Sequence, residues 1–193
     1  MKSTISKVIA AVICVVVVCG CFYLVSEQNK SSVEDNVQLT NVQKITTRNL
    51  ETDYPATPRE VVKLFNKILK CYYGETWTDQ EIIDLTSQAW NLFDPKLQEQ
   101  NPKENYLISV QLEVQDYKER GRSISQTSVC DSNEVKFIQD GEDEIAYVSA
   151  SYFIKDGKQH NNTHEMYVLR KDEEGRWRIL VFYQIEEEQT QDD

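Results

Sequence analysis

Two histidines, His160 and His164, stand four residues apart in "KQHNNTHE", with Glu165 beside the second. On a helix that spacing puts both rings on one face, where they could share a metal. The segment instead follows the turn formers Asp156-Gly157 and is predicted to be a polar hairpin loop, with both rings in solvent. Two cysteines, Cys71 and Cys130, lie outside the N-terminal apolar run, and no C-x-x-C occurs, which argues against a zinc site or a dithiol redox motif. In an oxidising compartment Cys71 and Cys130 could bridge a loop of about 60 residues, worth up to ~4 kcal/mol. Two buried free thiols are the preferred reading. The alternation of Ala146, Val148, Ala150, Tyr152 and Ile154 turns one phenol and no carboxylate to the inside of a strand. General acid–base catalysis needs a titratable group within hydrogen-bond reach of its substrate, and Tyr152 has no partner visible in the sequence. Glu142, Asp143 and Glu144 fall at a turn and are assigned to solvent. No Ser-His-Asp, Cys-His or phosphate-binding Gly-rich arrangement is evident, and neither a cofactor nor a metal is expected.

The elements that must position these residues fall in two blocks. Thr57-Pro58-Arg59-Glu60 is a capping box with Pro at the first helical position. Behind it Val61, Val62, Phe65, Ile68, Leu69 and Tyr72 share one helical face up to Gly74. Thr78-Asp79-Gln80-Glu81 opens a second helix that carries Ile82, Ile83, Leu85, Ala89 and Trp90 and ends before the Asp94-Pro95 turn. The third segment reads two ways. Ile108, Val110, Leu112 and Val114 alternate as in a strand, whereas Leu107, Val110, Val114 and Tyr117 keep helical spacing behind Asn101-Pro102-Lys103-Glu104. Helix is the choice adopted for 103–119, with strand left open. After Gly121, strands are predicted at 135–138, 144–154, 166–170 and 176–185, with a further one over 123–129. Asp140-Gly141, Asp156-Gly157 and Glu174-Gly175 supply the turns. Helices followed by a strand meander predict an α+β domain, with about three helices on one face of an antiparallel sheet.

Compartment follows from the first residues. Lys2 and Lys7 precede an uncharged run from Val8 to Val25, which as a helix would span roughly 27 Å. The positive-inside rule then places residues 1–7 in the cytoplasm, an anchor at 8–25, and the remainder outside the cell membrane as a single-pass protein. Lipidation of Cys21 behind Gly20 is the alternative. The uncleaved span is preferred, because Phe22, Tyr23, Leu24 and Val25 continue the apolar run. Residues 26–44 are polar and read as a flexible stalk, 45–187 as the folded domain, and 188–193 as an acidic tail. The chain of 193 residues carries 21 basic and 32 acidic side chains, a formal charge of −11. That balance speaks against nucleic acid as a partner, which would need clustered Lys and Arg.

The stretches "YPATPREVVKLFNKILKCYYGE", "NLFDPKLQEQNP", "SISQTSVCDSNEV" and "LRKDEEGRWRIL" together resemble an uncharacterised family of membrane-anchored extracytoplasmic proteins of Gram-positive gut bacteria. That family looks like a branch of the nuclear transport factor two-like superfamily. The resemblance covers about residues 45–185 and implies a cone of helices over a strongly curved sheet, often with a pocket between them. Tyr152, Trp177, Trp90 and Tyr72 are the candidates to line such a pocket, with core packing the preferred role for Tyr152 and Trp177. The superfamily hosts isomerases, dehydratases, ligand-binding modules and structural domains, so the fold by itself assigns no chemistry. A membrane-tethered domain that binds a protein or small ligand is the expected function. An isomerase- or hydrolase-type enzyme, or an accessory of an envelope complex, is the alternative.

Overall fold

The computed structural model describes residues 39–186. The predicted anchor, most of the stalk and the acidic tail lie outside the described residues. Among the described residues no helix is long and apolar enough to cross a membrane. The fold is α+β. Among the described residues five helices precede a five-stranded antiparallel sheet: α1 (Asn41–Thr46), α2 (Pro58–Gly74), α3 (Asp79–Trp90), α4 (Pro95–Gln100) and α5 (Lys103–Glu119), then β1 (Arg122–Val129), β2 (Lys136–Asp140), β3 (Asp143–Asp156), β4 (Gln159–Lys171) and β5 (Trp177–Ile185).

The helix starts follow their capping chemistry. Thr57 accepts from the Glu60 amide and Glu60 reaches back to the Thr57 amide, and Thr78 and Glu81 do the same for α3. A third capping box, Thr40 with Gln43, starts α1, so a helix straddles the stalk boundary drawn at Lys44 and buries Val42 and Ile45. Asp94-Pro95, read as a turn, instead caps the short helix α4.

Residues 103–119 are helical, which settles the alternation. Val110 and Val114 face the core, while Ile108 and Leu112 lie 55% and 64% exposed on the opposite side. An alternating pattern wound onto a helix divides its apolar residues between two faces instead of concentrating them on one.

In the sheet β3 is central. β4 pairs along one of its edges, and β1 and β2 share the other. β5 pairs with the far side of β4. Two-residue turns join β2 to β3 and β3 to β4, with Gly141 (φ 61°) and Gly157 (φ 60°) in the left-handed conformation that a side chain would strain. Register breaks at Ile124/Gln126 and Val168/Leu169 are bulges, which bend a strand and curve the sheet. The inward residues of β3 (Ala146, Val148, Ala150 and Tyr152) are all buried against Phe65, Ile68 and the other core residues of the helices.

β4 corrects one expectation. The strand runs back to Gln159, so all of "KQHNNTHE" beyond its first residue is paired with β3 and is no loop. His160 pairs in register with Lys155 and His164 with Ser151, on the outer face of the sheet. Their spacing along a strand is about 13 Å, too far for one metal ion. His164 Nδ1 meets Ser151 Oγ at 2.9 Å and Nε2 meets Asn162 Nδ2 at 3.1 Å.

Candidate functional site

A cavity of about 180 Å³ opens between α2, α5 and the inner face of the sheet. Protein interiors hold few voids larger than a water molecule, and a water's share of liquid volume is about 30 Å³. This space is several times larger and exceeds ordinary packing slack.

Helical spacing builds two of its walls. Phe65, Leu69, Tyr72 and Tyr73 fall on one face of α2, and Tyr106, Val110, Glu113 and Tyr117 on one face of α5, with Ser109 and Glu113 at the exposed rim. The sheet closes the third wall with Ile124, Tyr152, Ile154, Thr163, Glu165 and Phe182. Thr163 and Glu165 reach it because β4 extends upstream, and inward positions recur every second residue through Tyr167 and Leu169. Ring contacts fix this wall: Phe182 stacks on Tyr167 at 5.5 Å between centroids, and Phe65 meets Tyr167 edge-on at 5.9 Å.

A polar chain runs through the wall. Tyr167 Oη lies 2.8 Å from Glu165 Oε2, Tyr152 Oη lies 2.5 Å from Tyr167 Oη, and Asn66 Oδ1 lies 2.6 Å from Tyr152 Oη. Three contacts require three protons, and the two phenols supply two. With the Asn66 oxygen accepting from Tyr152, the third proton is Glu165's own. In that arrangement a neutral Glu165 donates to Tyr167, Tyr167 to Tyr152 and Tyr152 to Asn66. With the Asn66 amide turned, its nitrogen supplies the third proton instead and Tyr167 donates to an ionised Glu165. Burial raises the Glu165 carboxyl above its ordinary value, opposed by the Tyr167 hydrogen bond and reinforced by the charge of Glu113. Burial also pushes both phenols up, Tyr167 further aided by its neighbours Tyr152 and Glu165, so neither ionises near neutrality. Asn66 is 1% exposed, and its Nδ2 is a buried side-chain atom with no hydrogen-bond partner. The site can thus hold a ligand against aromatic walls, accept a proton at Glu165 or donate one from it.

Two of the four residues predicted for the pocket, Tyr152 and Tyr72, line this cavity. Trp177 and Trp90 do not. Trp177 is buried beside Phe137 at 5.7 Å, and its carbonyl accepts from Tyr54 Oη at 2.8 Å. Trp90 donates its indole N–H to the Asn101 carbonyl at 2.9 Å. Cys71 and Cys130 are both free, so no disulfide joins them. Cys71 faces the groove between α1 and α2 with Ile45 and Leu64, whereas Cys130 ends β1, where its carbonyl accepts from Arg59. Burial pushes the Cys71 thiol up to about 12, which makes it a poor nucleophile.

Sequence reasoning missed Glu165, Tyr167, Asn66 and Glu113. The usable signal was the phase of β4: a strand begun at Gln159 instead of Met166 points Glu165 inward beside Tyr167.

A domain of unknown function, DUF6715, matches residues 1–182. The chain belongs to the DUF6715 family. No curated protein matches it. In this DUF6715 chain the cavity between α2, α5 and the sheet joins aromatic walls to the carboxyls of Glu113 and Glu165.

Proposed function

We propose that the chain is a membrane-tethered extracytoplasmic domain that binds a small ligand in the cavity between α2, α5 and the sheet. The observation that carries the binding role is the cavity itself: about 180 Å³, walled by aromatic rings and supplied with one polar chain ending at Glu165. Ligand sites are typically concave, mostly apolar and equipped with a few placed polar groups. The volume falls below the roughly 300–1,000 Å³ of drug-sized sites, so the ligand is a small one. Helices followed by a bulged antiparallel meander support a place among nuclear transport factor two-like cones. The uncharged run from Val8 to Val25 behind Lys2 and Lys7 supports the tether and the outward orientation.

Fragment binding to the full chain in detergent, followed by ligand-observed NMR, tests the binding role. Ser109→Trp places a bulky ring at the rim without entering the core, and bound fragments should be lost from that variant. Unchanged binding in Ser109→Trp, or no binding fragment at all, would count against it. Intact mass tests the tether: loss of residues 1–20 with a diacylglyceryl group added would show that Cys21 is lipidated.

An enzymatic reading is favoured by one specific observation, the carboxyl of Glu165 at the cavity wall with a proton affinity raised by burial. In that reading Glu165 moves a proton to or from the bound molecule. A Glu165→Gln chain that still binds a fragment and still converts it would exclude Glu165 from such a role.

A further inference from the structure

We propose that the cavity takes a small organic cation, a primary or methylated ammonium; this rests on the ligand-binding reading above. Seven aromatic rings and two carboxylates line the space, and no Lys or Arg does. Aromatic faces attract cations through their quadrupole, by about 0.5–1 kcal/mol when exposed and about 2 or more when desolvated. The carboxylates are placed at two depths, Glu165 in the wall and Glu113 at the rim. The nearby guanidinium of Arg122 is occupied by Asp156 at 2.7 Å and does not line the cavity. An anionic ligand would meet Glu113, and Glu165 when ionised, with no Lys or Arg in the lining to answer it. A neutral one would gain nothing from the Glu113 carboxylate, whereas a cation adds an ion pair to it. At long range the formal charge of −11 also favours the arrival of cations.

The polar chain has a second arrangement that suits a cation. The Asn66 nitrogen, buried and without a partner, turns toward Tyr152 and donates to it. Tyr152 then donates to Tyr167 and Tyr167 to Glu165, so every contact keeps one proton while Glu165 is ionised and its own proton passes to solvent. The first arrangement holds a neutral carboxyl, and the second holds a carboxylate that an occupying cation would face. Asn66 supplies the donor that makes both states satisfiable, which gives a buried amide in an apolar helix face a role.

The experiment compares three molecules of nearly the same shape on the full chain in detergent, by titration calorimetry: choline (cationic), 3,3-dimethylbutan-1-ol (neutral) and 3,3-dimethylbutanoate (anionic). Choline should bind at least about tenfold tighter than the alcohol, with the acid weakest. Glu165→Gln should reduce choline affinity by a clearly larger factor than it changes that of the alcohol, bringing the two closer together. Should Glu165→Gln not fold, as judged by its thermal transition, Glu113→Gln at the exposed rim serves the same comparison with a smaller expected loss. If the alcohol binds as tightly as choline, or choline affinity is insensitive to the carboxylate variant that folds, the cation inference is overturned while ligand binding stands. If none of the three binds, both fall.

Discussion

Asn66 and Tyr152, 86 residues apart in the chain, meet in the core with Asn66 Oδ1 2.6 Å from Tyr152 Oη. A polar amide on the buried face of α2, among Val62, Phe65 and Leu69, would be costly without that phenol. The pair ties the long helix to the central strand and starts the chain that ends at Glu165.

Tyr152→Phe removes the hydroxyl shared by Asn66 and Tyr167, leaving a buried acceptor unanswered. The expected loss is roughly 1–3 kcal/mol of stability, measured by urea denaturation. Adding Asn66→Leu removes the stranded group, so the double variant should recover much of that loss. A double variant as unstable as the sum of the two singles would show that the residues are not coupled.

Glu165 makes stability pH-dependent in a defined direction. Its folded-state affinity for protons is raised above the ordinary value of 4.5. The folded protein therefore holds more protons than the unfolded one in the window just above that pH. This contribution is fully present below about 4.5 and declines as pH rises through the folded-state value. In Glu165→Gln the decline should be absent, so the stability difference between variant and wild type should shift in the variant's favour from pH 4 to pH 7. Parallel stability curves across that range would contradict the assignment.

Asp94 supports the opposite end of the sheet. Its side chain caps α4 through the Lys96 amide and receives two bonds from Arg170, at 2.7 and 2.9 Å, while only 1% exposed. Asp94→Ala strands the Arg170 guanidinium with Asp143 as its remaining partner. It should cost about 3–5 kcal/mol by thermal or chemical denaturation. Asp94→Asn keeps the capping oxygen and should cost measurably less. Equal losses would mean that the cap contributes little.

Helix α5 offers a direct contrast of its two faces. Val114→Ala should cost roughly 2 kcal/mol for the methyl groups lost from the core. Leu112→Ser, on the exposed face, should stay within about 0.5 kcal/mol of wild type. The reverse order of losses would require the other face of this helix to be the buried one.

Local chemistry wrote much of this fold into the sequence. The capping boxes at Thr57 and Thr78 fixed two helix starts, because side-chain oxygens three residues from the acid satisfy orphan amides whatever the surroundings. The alternation from Ala146 to Ile154 fixed the inner face of β3, and the Gly141 and Gly157 turns fixed its two hairpins. Tertiary structure decided the rest. The upstream half of β4 shows no apolar alternation, since its inward Thr163 and Glu165 face a cavity instead of a packed core. Strand pairing with β3, a long-range interaction, holds it extended. Asn66 lies on an apolar helix stripe, where its partner Tyr152 comes from a distant strand. On α5 the alternation of Ile108, Val110, Leu112 and Val114 read as strand against the helical spacing on which helix was chosen, and packing of Val110 and Val114 against the core fits the helix. Trp177 and Trp90 show the same limit from the other side. Their size predicted burial, but only the path of the chain determined that Phe137, Tyr54 and Asn101 would surround them and that Glu165 would face the open space.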